Sequence, residues 1–251
     1  MPGSITLRFY AELNDFLEPG RRQRSFEQVS EERATVGGVI ESLGVPSAAV
    51  DLVLANGRSV DLSHRVEDGD RISVFPVFES LDITPVLAVR PRPLRQTRFV
   101  LDVHLGRLAK YLRLLGFDTF YRDDTDDPEL VRISVAEGRI LLTRDRALLQ
   151  RRALTHCYEV RETNPRRQLA EVLERFDLRR AAAPFTRCLR CNELLRPVPR
   201  EAVADRLPPR TAREHDEFRI CRVCDRVLWR GSHYRSMRRF VDAALAPRGG
   251  G

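Results

Sequence analysis

Phe99-Val-Leu-Asp-Val-His-Leu-Gly-Arg-Leu-Ala-Lys-Tyr-Leu-Arg-Leu-Leu-Gly-Phe-Asp118 decides the architecture of the middle of the chain. The apolar run Phe99 to Leu101 predicts a buried strand ending in Asp102. From Leu105 to Leu115 apolar residues recur at helical spacing, and Gly116 supplies the stop. Phe117 to Tyr121 reads as the next strand, so strand, helix and strand alternate as they do over a parallel sheet. The pattern continues: Asp127-Pro128 opens a helix as N-cap and first-turn proline, reaching Ala136 before Gly138. Arg139-Ile-Leu-Leu-Thr143 is a further buried strand, ending near Asp145. Asp102 and Asp145 therefore fall at carboxyl ends of strands, where open α/β sheets bind their ligands.

Upstream, Ile5, Leu7 and Phe9 alternate as a strand, and a second strand around Arg24 to Phe26 pairs with it after a Pro19-Gly20 turn. Thr35 caps a helix from Val36 to Leu43, which Gly44 ends. Leu52-Val-Leu-Ala and Val60 then flank an Asn56-Gly57 hairpin turn. Asp68-Gly-Asp-Arg-Ile-Ser-Val-Phe closes the unit with a turn and a strand. This order resembles the ubiquitin-like β-grasp fold, and its last segment is similar to the molybdopterin and thiazole sulfur carriers. Those carriers end in an exposed Gly-Gly tail that is adenylated. Here the strand runs on through Pro76-Val-Phe-Glu-Ser-Leu, and Gly249-Gly-Gly251 reads as a frayed end, so an interaction role is expected instead. Val86 to Arg95, with Pro85, Pro91 and Pro93, reads as a semi-extended linker.

Downstream, a helix from Pro165 to Phe176 and the segment Ala181 to Pro184 lead into Cys188-Leu-Arg-Cys191. After 29 residues follows Cys221-Arg-Val-Cys224. Each C-x-x-C can present two sulfurs on one face of a tight turn, and two such knuckles close a tetrahedral shell around a structural zinc with no position left for catalysis. Two disulfides or a redox pair would use the same residues. Met1 to Tyr10 lacks the apolar core of a signal peptide, so a cytoplasmic location and reduced thiols are expected, which favours zinc. Cys157, in a strand expected over His156 to Arg161, reads as a small buried hydrophobe. The expected domains are 1–84, 97–180 and 184–246.

Charge is unevenly spread. Residues 1–80 carry 8 arginines against 13 acidic residues, net −5, whereas the rest carries 35 basic against 23 acidic, net +12; Lys110 is the only lysine. Guanidinium groups suit phosphate, so a basic half beside a metal ribbon points to nucleic acid; an arginine-rich codon usage would give the same composition. No apolar run approaches the roughly 18 residues a membrane span needs, so no membrane partner is expected.

The acids of the middle segment are Asp102, the run Asp123-Asp-Thr-Asp-Asp127, and Asp145. Carboxylates gathered on one sheet edge repel one another unless a cation lies between them, and hard oxygen donors favour magnesium or manganese over zinc. Each also has a structural reading: Asp127 and Asp145 can cap helices, and the aspartate run can be a solvated turn. His104 and His156 have no recognisable nucleophile partner.

Phe99 to Asp118, Leu141-Leu-Thr-Arg-Asp145 and Trp229-Arg-Gly-Ser-His-Tyr234 together resemble the Mut-seven carboxy-terminal RNase family. That family pairs a PIN-like nuclease fold with a zinc ribbon, and some members carry a β-grasp domain in front. The resemblance implies a fold of three parts: an N-terminal ubiquitin-like β-grasp domain, a central PIN-like α/β domain with a parallel sheet, and a C-terminal four-cysteine zinc ribbon. It implies divalent-metal hydrolysis of RNA phosphodiesters, with Asp102, Asp127 and Asp145 holding Mg2+ or Mn2+ and Asp124 as a further acid. Val103-His104, following Asp102, departs from the small or flexible residues expected there. Arg107, Lys110 and Arg144 are candidates to meet phosphates, and Arg230 and His233 to approach the backbone of single-stranded RNA. Trp229 and Tyr234 are placed to stack on unpaired bases or, for Trp229, to cover the zinc core, and the second is the expected role of Trp229; the acidic first domain is expected to recruit a protein partner. The other reading is a non-catalytic RNA-binding or protein-interaction adaptor.

Overall fold

Strict apolar alternation builds the first sheet. Ile5, Leu7 and Phe9 in β1 (Gly3–Phe9) are each 1% exposed. β1 pairs antiparallel with β2 (Phe26–Ser30), whose bounds lie a few residues beyond the expected Arg24 to Phe26. Thr35 caps α1 (Val36–Ser42), its side chain accepting from the Gly38 N–H at 3.2 Å. β3 (Val50–Ala55) and β4 (Arg58–Val60) form the expected hairpin. Asn56 (φ 51°) and Gly57 (φ 81°) both take the left-handed conformation that a two-residue turn matched to strand twist requires. β5 (Arg71–Pro76) returns to lie parallel to β1 and antiparallel to β3, giving the order β2-β1-β5-β3-β4. First and last strands side by side at the centre, with α1 packed over them, make a β-grasp domain.

The computed structural model describes residues 3–76, 97–151, 153–154 and 156–246. The expected linker, the chain beyond Pro76 and the terminal glycines lie outside these residues. After the β-grasp domain the elements are β6 (Arg98–Leu101), α2 (Gly106–Leu114), β7 (Asp118–Phe120), α3 (Asp127–Glu137), β8 (Ile140–Thr143), α4 (Arg146–Leu149), β9 (Cys157–Glu159), α5 (Pro165–Arg175), β10 (Arg196–Val198), α6 (Pro209–Glu214), β11 (Phe218–Cys221), β12 (Arg226–Trp229) and α7 (Ser232–Leu245). They fall into two compact units, one of residues 1–100 with 125–159, the other of 101–124 with 160–251.

In the first unit β6, β8 and β9 are neighbours in that order, and β8 and β9 run parallel, Leu142 opposite Tyr158. All of Ile140 to Thr143 is buried, the continuous apolar run of a strand covered on both faces. α3 packs on β8, and Gly138 (φ 59°) ends it as a left-handed C-cap. Cys157 is buried in β9, the small buried residue of a strand that was expected there.

In the second unit α2 packs on α5, burying Leu108, Leu112 and Leu115 completely. The chain reverses at Gly116 (φ 94°), where a Cβ would lie 2.2 Å from the Ala183 carbonyl oxygen. Only glycine permits both the dihedral and that approach. β10, β11 and β12 form an antiparallel sheet. Its two faces are used differently: Phe218 joins Val203 and Leu207 on one side, whereas Leu228 and Cys221 face the cysteine cluster on the other.

Candidate functional site

Asp102 follows the buried strand β6 and is itself only 4% exposed. Its carboxylate accepts the His104 backbone N–H at 2.7 Å, which fixes the one-turn helix Val103–Leu105 between strand and α2. Tyr121 closes the same turn, its hydroxyl donating to the Val103 carbonyl at 3.1 Å. This approach needs Gly106, where a Cβ would meet the Tyr121 hydroxyl at 2.6 Å. Burial, followed by the negative charges of Asp123 and Asp102, raises the Tyr121 pKa, so the phenol stays a proton donor. Arg107 and Lys110 stand exposed on the first turns of α2.

Asp127 corrects one expectation. The N-cap of α3 is Asp126, whose side chain accepts from the Glu129 N–H at 2.9 Å; Asp127 is the first helical residue and is exposed. Capping at Asp126 leaves Pro128 inside the first turn, where its missing N–H costs nothing. Asp124 is held by Arg122 through two bonds of 2.9 Å, and this hydrogen-bonded guanidinium lowers its pKa. Asp145 caps α4, accepting from Ala147 N–H at 2.8 Å, while its own N–H donates to Thr143 Oγ1 at 2.9 Å. Arg144 lies exposed beside it. α4 is tied to the β-grasp domain: Gln150 donates to the Gly44 carbonyl at 2.9 Å, and the Arg146 guanidinium lies 5.9 Å from the Phe16 ring centre. Asp102 belongs to one compact unit and Asp127 and Asp145 to the other.

The cysteines converge. Cys188, Cys191, Cys221 and Cys224 bring their sulfurs within 4.8 Å of one another. Sγ separations of 3.6 Å (Cys188 to Cys224) and 3.2 Å (Cys191 to Cys221) are far longer than a disulfide's ~2.05 Å. They come close to the ~3.8 Å tetrahedral edge that Zn–S bonds of ~2.3 Å define. Each knuckle turns at the residue after its second cysteine, Asn192 (φ 68°) and Asp225 (φ 52°), residue types that tolerate the left-handed region. Burial pushes the Cys191 thiol up to about 12. Burial opposes ionisation of Cys221 too, but the Cys224 N–H and the neighbouring thiols outweigh it and bring that thiol to about 7. Four sulfurs this close cannot all ionise without a cation among them, so the cluster could hold one, and four thiolates suit zinc.

Two residues that sequence reading passed over organise this ribbon. Arg113, 4% exposed, donates Nε to Thr119 O (2.9 Å), Nη1 to Leu189 O (3.1 Å) and Arg190 O (2.9 Å), and Nη2 to Tyr121 O (3.2 Å). Asn192 accepts from Thr119 N–H at 2.9 Å and donates to Asp118 at 2.8 Å. One guanidinium and one amide thus join the first knuckle to β7, and Tyr121 carries the connection to the Asp102 turn. The expected role of Trp229 is not met: Leu195 and Leu228 pack on the cysteines, while Trp229 stays 37% exposed. Arg230 pairs with Glu217 at 2.9 Å and stacks over Tyr234, with His233 exposed nearby at the start of α7.

A β-grasp domain followed by a parallel-sheet α/β domain and a four-cysteine ribbon is the architecture of a ubiquitin-like domain joined to a nuclease-type domain. Residues 97–241 match the Mut7-C RNAse domain and residues 3–82 the Mut7-C ubiquitin domain; the chain belongs to the Mut7-C RNAse family. Two solved structures are also similar. H. volcanii small archaeal modifier protein 1 is 21% identical with a TM-score of 0.26, over 30% of this chain and 99% of that one. SAMP1 from Haloferax volcanii is 22% identical with the same TM-score, over 32% and 100%. No curated protein matches. No helix among the described residues is long and apolar enough to cross a membrane.

Proposed function

We propose that the protein is a divalent-metal-dependent ribonuclease whose ion is held by Asp102, Asp127 and Asp145, with the ribbon helping to bind single-stranded RNA. The observation that carries this reading is Asp102, a buried carboxylate at the carboxyl end of an apolar strand, inside the stretch that matches the RNAse domain. The donors suit the group: carboxylate oxygens are hard ligands, fitted to Mg2+ or Mn2+. When bound, such an ion lowers the pKa of water and screens the charge of the scissile phosphate. The residues supply the rest. Asp102 is oriented by His104 N–H and the Tyr121-braced turn, and Asp145 by its cap on α4. Arg107, Lys110 and Arg144 offer exposed cations to the RNA backbone. Asp124 serves as a further acid only once released by Arg122.

The experiment is cleavage of single-stranded RNA with chelator and metal add-back. Asp102→Asn and Asp145→Asn keep a side chain able to cap, so they should preserve folding and RNA binding while abolishing cleavage. RNA binding with a steep salt dependence and no cleavage by the wild-type protein under any divalent metal would instead establish an adaptor.

A further inference from the structure

A cavity of about 200 Å3 opens between the ribbon and α7. Its apolar walls are Phe185, Leu228, Trp229, Tyr234 and Met237, and its polar rim is dominated by guanidinium groups. Phe185 and Tyr234 are set against each other, ring centres 4.7 Å apart, so one wall is a preformed aromatic surface. Gly231 lets the indole lie close against the backbone, since a Cβ there would stand 2.9 Å from the indole Nε1. The indole is nonetheless over a third exposed, and its N–H makes no hydrogen bond among the described residues.

The rim is biased toward anions. Arg187, Arg219, Arg230 and Arg238 line the cavity against one carboxylate, Glu217. Arg187 is spent on the Gly116 and Asn192 carbonyls, and Arg230 and Arg238 on Glu217 and Asp242. Arg219 differs. It is exposed in the centre of β11 opposite Leu228, with no ion pair among the described residues. A site with flat π surfaces inside and an unspent planar cation at its mouth fits a ligand with a π face and an attached anion.

We infer that this cavity is a nucleotide subsite: one unpaired base of single-stranded RNA stacks on Trp229 and the Phe185–Tyr234 wall, and its phosphate meets Arg219. The identity of the polymer rests on the ribonuclease reading above; the aromatic-and-arginine site does not. Stacking explains why an aromatic side chain is left uncovered on a ribbon whose own core is complete without it, and it makes the subsite tolerant of sequence, since every base has a π face. The subsite would anchor RNA through the ribbon without entering the chemistry.

Trp229 is the only tryptophan, so its fluorescence reports this cavity alone. The test uses the full-length zinc-loaded protein carrying Asp102→Asn, so that RNA remains intact. It is titrated with a short oligouridylate and with an abasic ribose-phosphate oligomer of equal length. Oligouridylate should quench Trp229, and the abasic oligomer should not. Trp229→Ala should weaken oligouridylate binding about tenfold or more and leave abasic binding unchanged. Arg219→Ala should weaken both several-fold; being exposed and unpaired, it carries no risk to folding, and zinc content verifies the fold of the tryptophan variant. Unchanged fluorescence while RNA binds, equal quenching by both oligomers, or displacement by an acidic aromatic peptide but not by RNA would overturn the proposal. Cleavage by the wild-type chain is measured in parallel. Cleavage without quenching removes the subsite and leaves the ribonuclease reading; quenching without cleavage does the reverse.

Discussion

Replacing Arg113 tests whether one buried guanidinium holds the ribbon to the α/β domain. The side chain makes four hydrogen bonds to carbonyls, two in β7 and its continuation and two in the first knuckle. Arg113→Met matches the aliphatic stem and removes every donor. Hydrogen bonds from a charged group each contribute about 1.5–3 kcal/mol, and each carbonyl left buried without a partner costs about 1–3 kcal/mol. Against this stands the desolvation of the guanidinium, which burial makes costly enough to lower its pKa although the Cys188, Cys191 and Asp118 charges raise it. Part of the loss is therefore recovered when the charge goes, and some carbonyls regain water. A net loss of about 3–5 kcal/mol is expected, comparable with breaking other buried charged networks. Arg113→Lys should recover little, because one ammonium cannot span four carbonyls in a plane. Urea unfolding gives the stability. Competition with a chromophoric chelator gives zinc retention, which should fall about 10–100-fold because Arg113 orients the knuckle through the Leu189 and Arg190 carbonyls. A variant with wild-type unfolding midpoint and wild-type zinc retention would refute the argument.

Other outcomes follow from the same geometry. Gly116→Ala should cost about 3 kcal/mol or more in urea unfolding, because the new Cβ collides with backbone at a left-handed dihedral. Tyr121→Phe should lower stability by about 1 kcal/mol through loss of the bond to Val103, and lower RNA cleavage more than RNA binding. The folded-state pKa of Tyr121 is raised from 10.0, so its contribution is complete below pH 10 and lost as pH rises through the higher folded value; above pH 10 the melting temperature should fall more steeply for the wild type than for Tyr121→Phe. Cys221→Ser should release zinc and unfold the ribbon while the β-grasp domain keeps its own melting transition; in the wild type zinc retention should weaken on acidification, since binding displaces thiol protons.

What the sequence made legible follows a physical rule: features written in neighbouring residues can be read, and features closed across long separations cannot. Alternation at Ile5, Leu7 and Phe9, the Asn56-Gly57 turn and the stop at Gly116 are local, and they appear where expected. The C-x-x-C pairs are legible despite their separation because thiolate chemistry leaves few alternatives. Asp126 displaced Asp127 as the N-cap because two adjacent aspartates offer the same chemistry, and only the backbone decides which begins the helix. Arg113 was invisible for a different reason. Within α2 it looks like a surface charge between Leu112 and Leu114, yet two of the four carbonyls that offset its burial lie 76 and 77 residues away. Tyr121 likewise gains its role only when its ring comes back against Gly106 and the Val103 carbonyl.

These long-range contacts change what the four-cysteine ribbon would do for the proposed site at Asp102. The knuckle carbonyls bind Arg113, Arg113 binds the Tyr121 carbonyl, and the Tyr121 hydroxyl holds the turn that positions Asp102. Each link is a hydrogen bond within one compact unit, so loss of zinc from the cluster should be felt at Asp102 even though a shell closed by four sulfurs leaves that ion no open position for chemistry. The signature is separable from general unfolding. In zinc-depleted protein, Tyr121→Phe and Arg113→Met should cost less additional cleavage than they do in zinc-loaded protein, because the chain they belong to is already broken. Equal costs in both forms would show that the ribbon and the Asp102 turn are energetically independent.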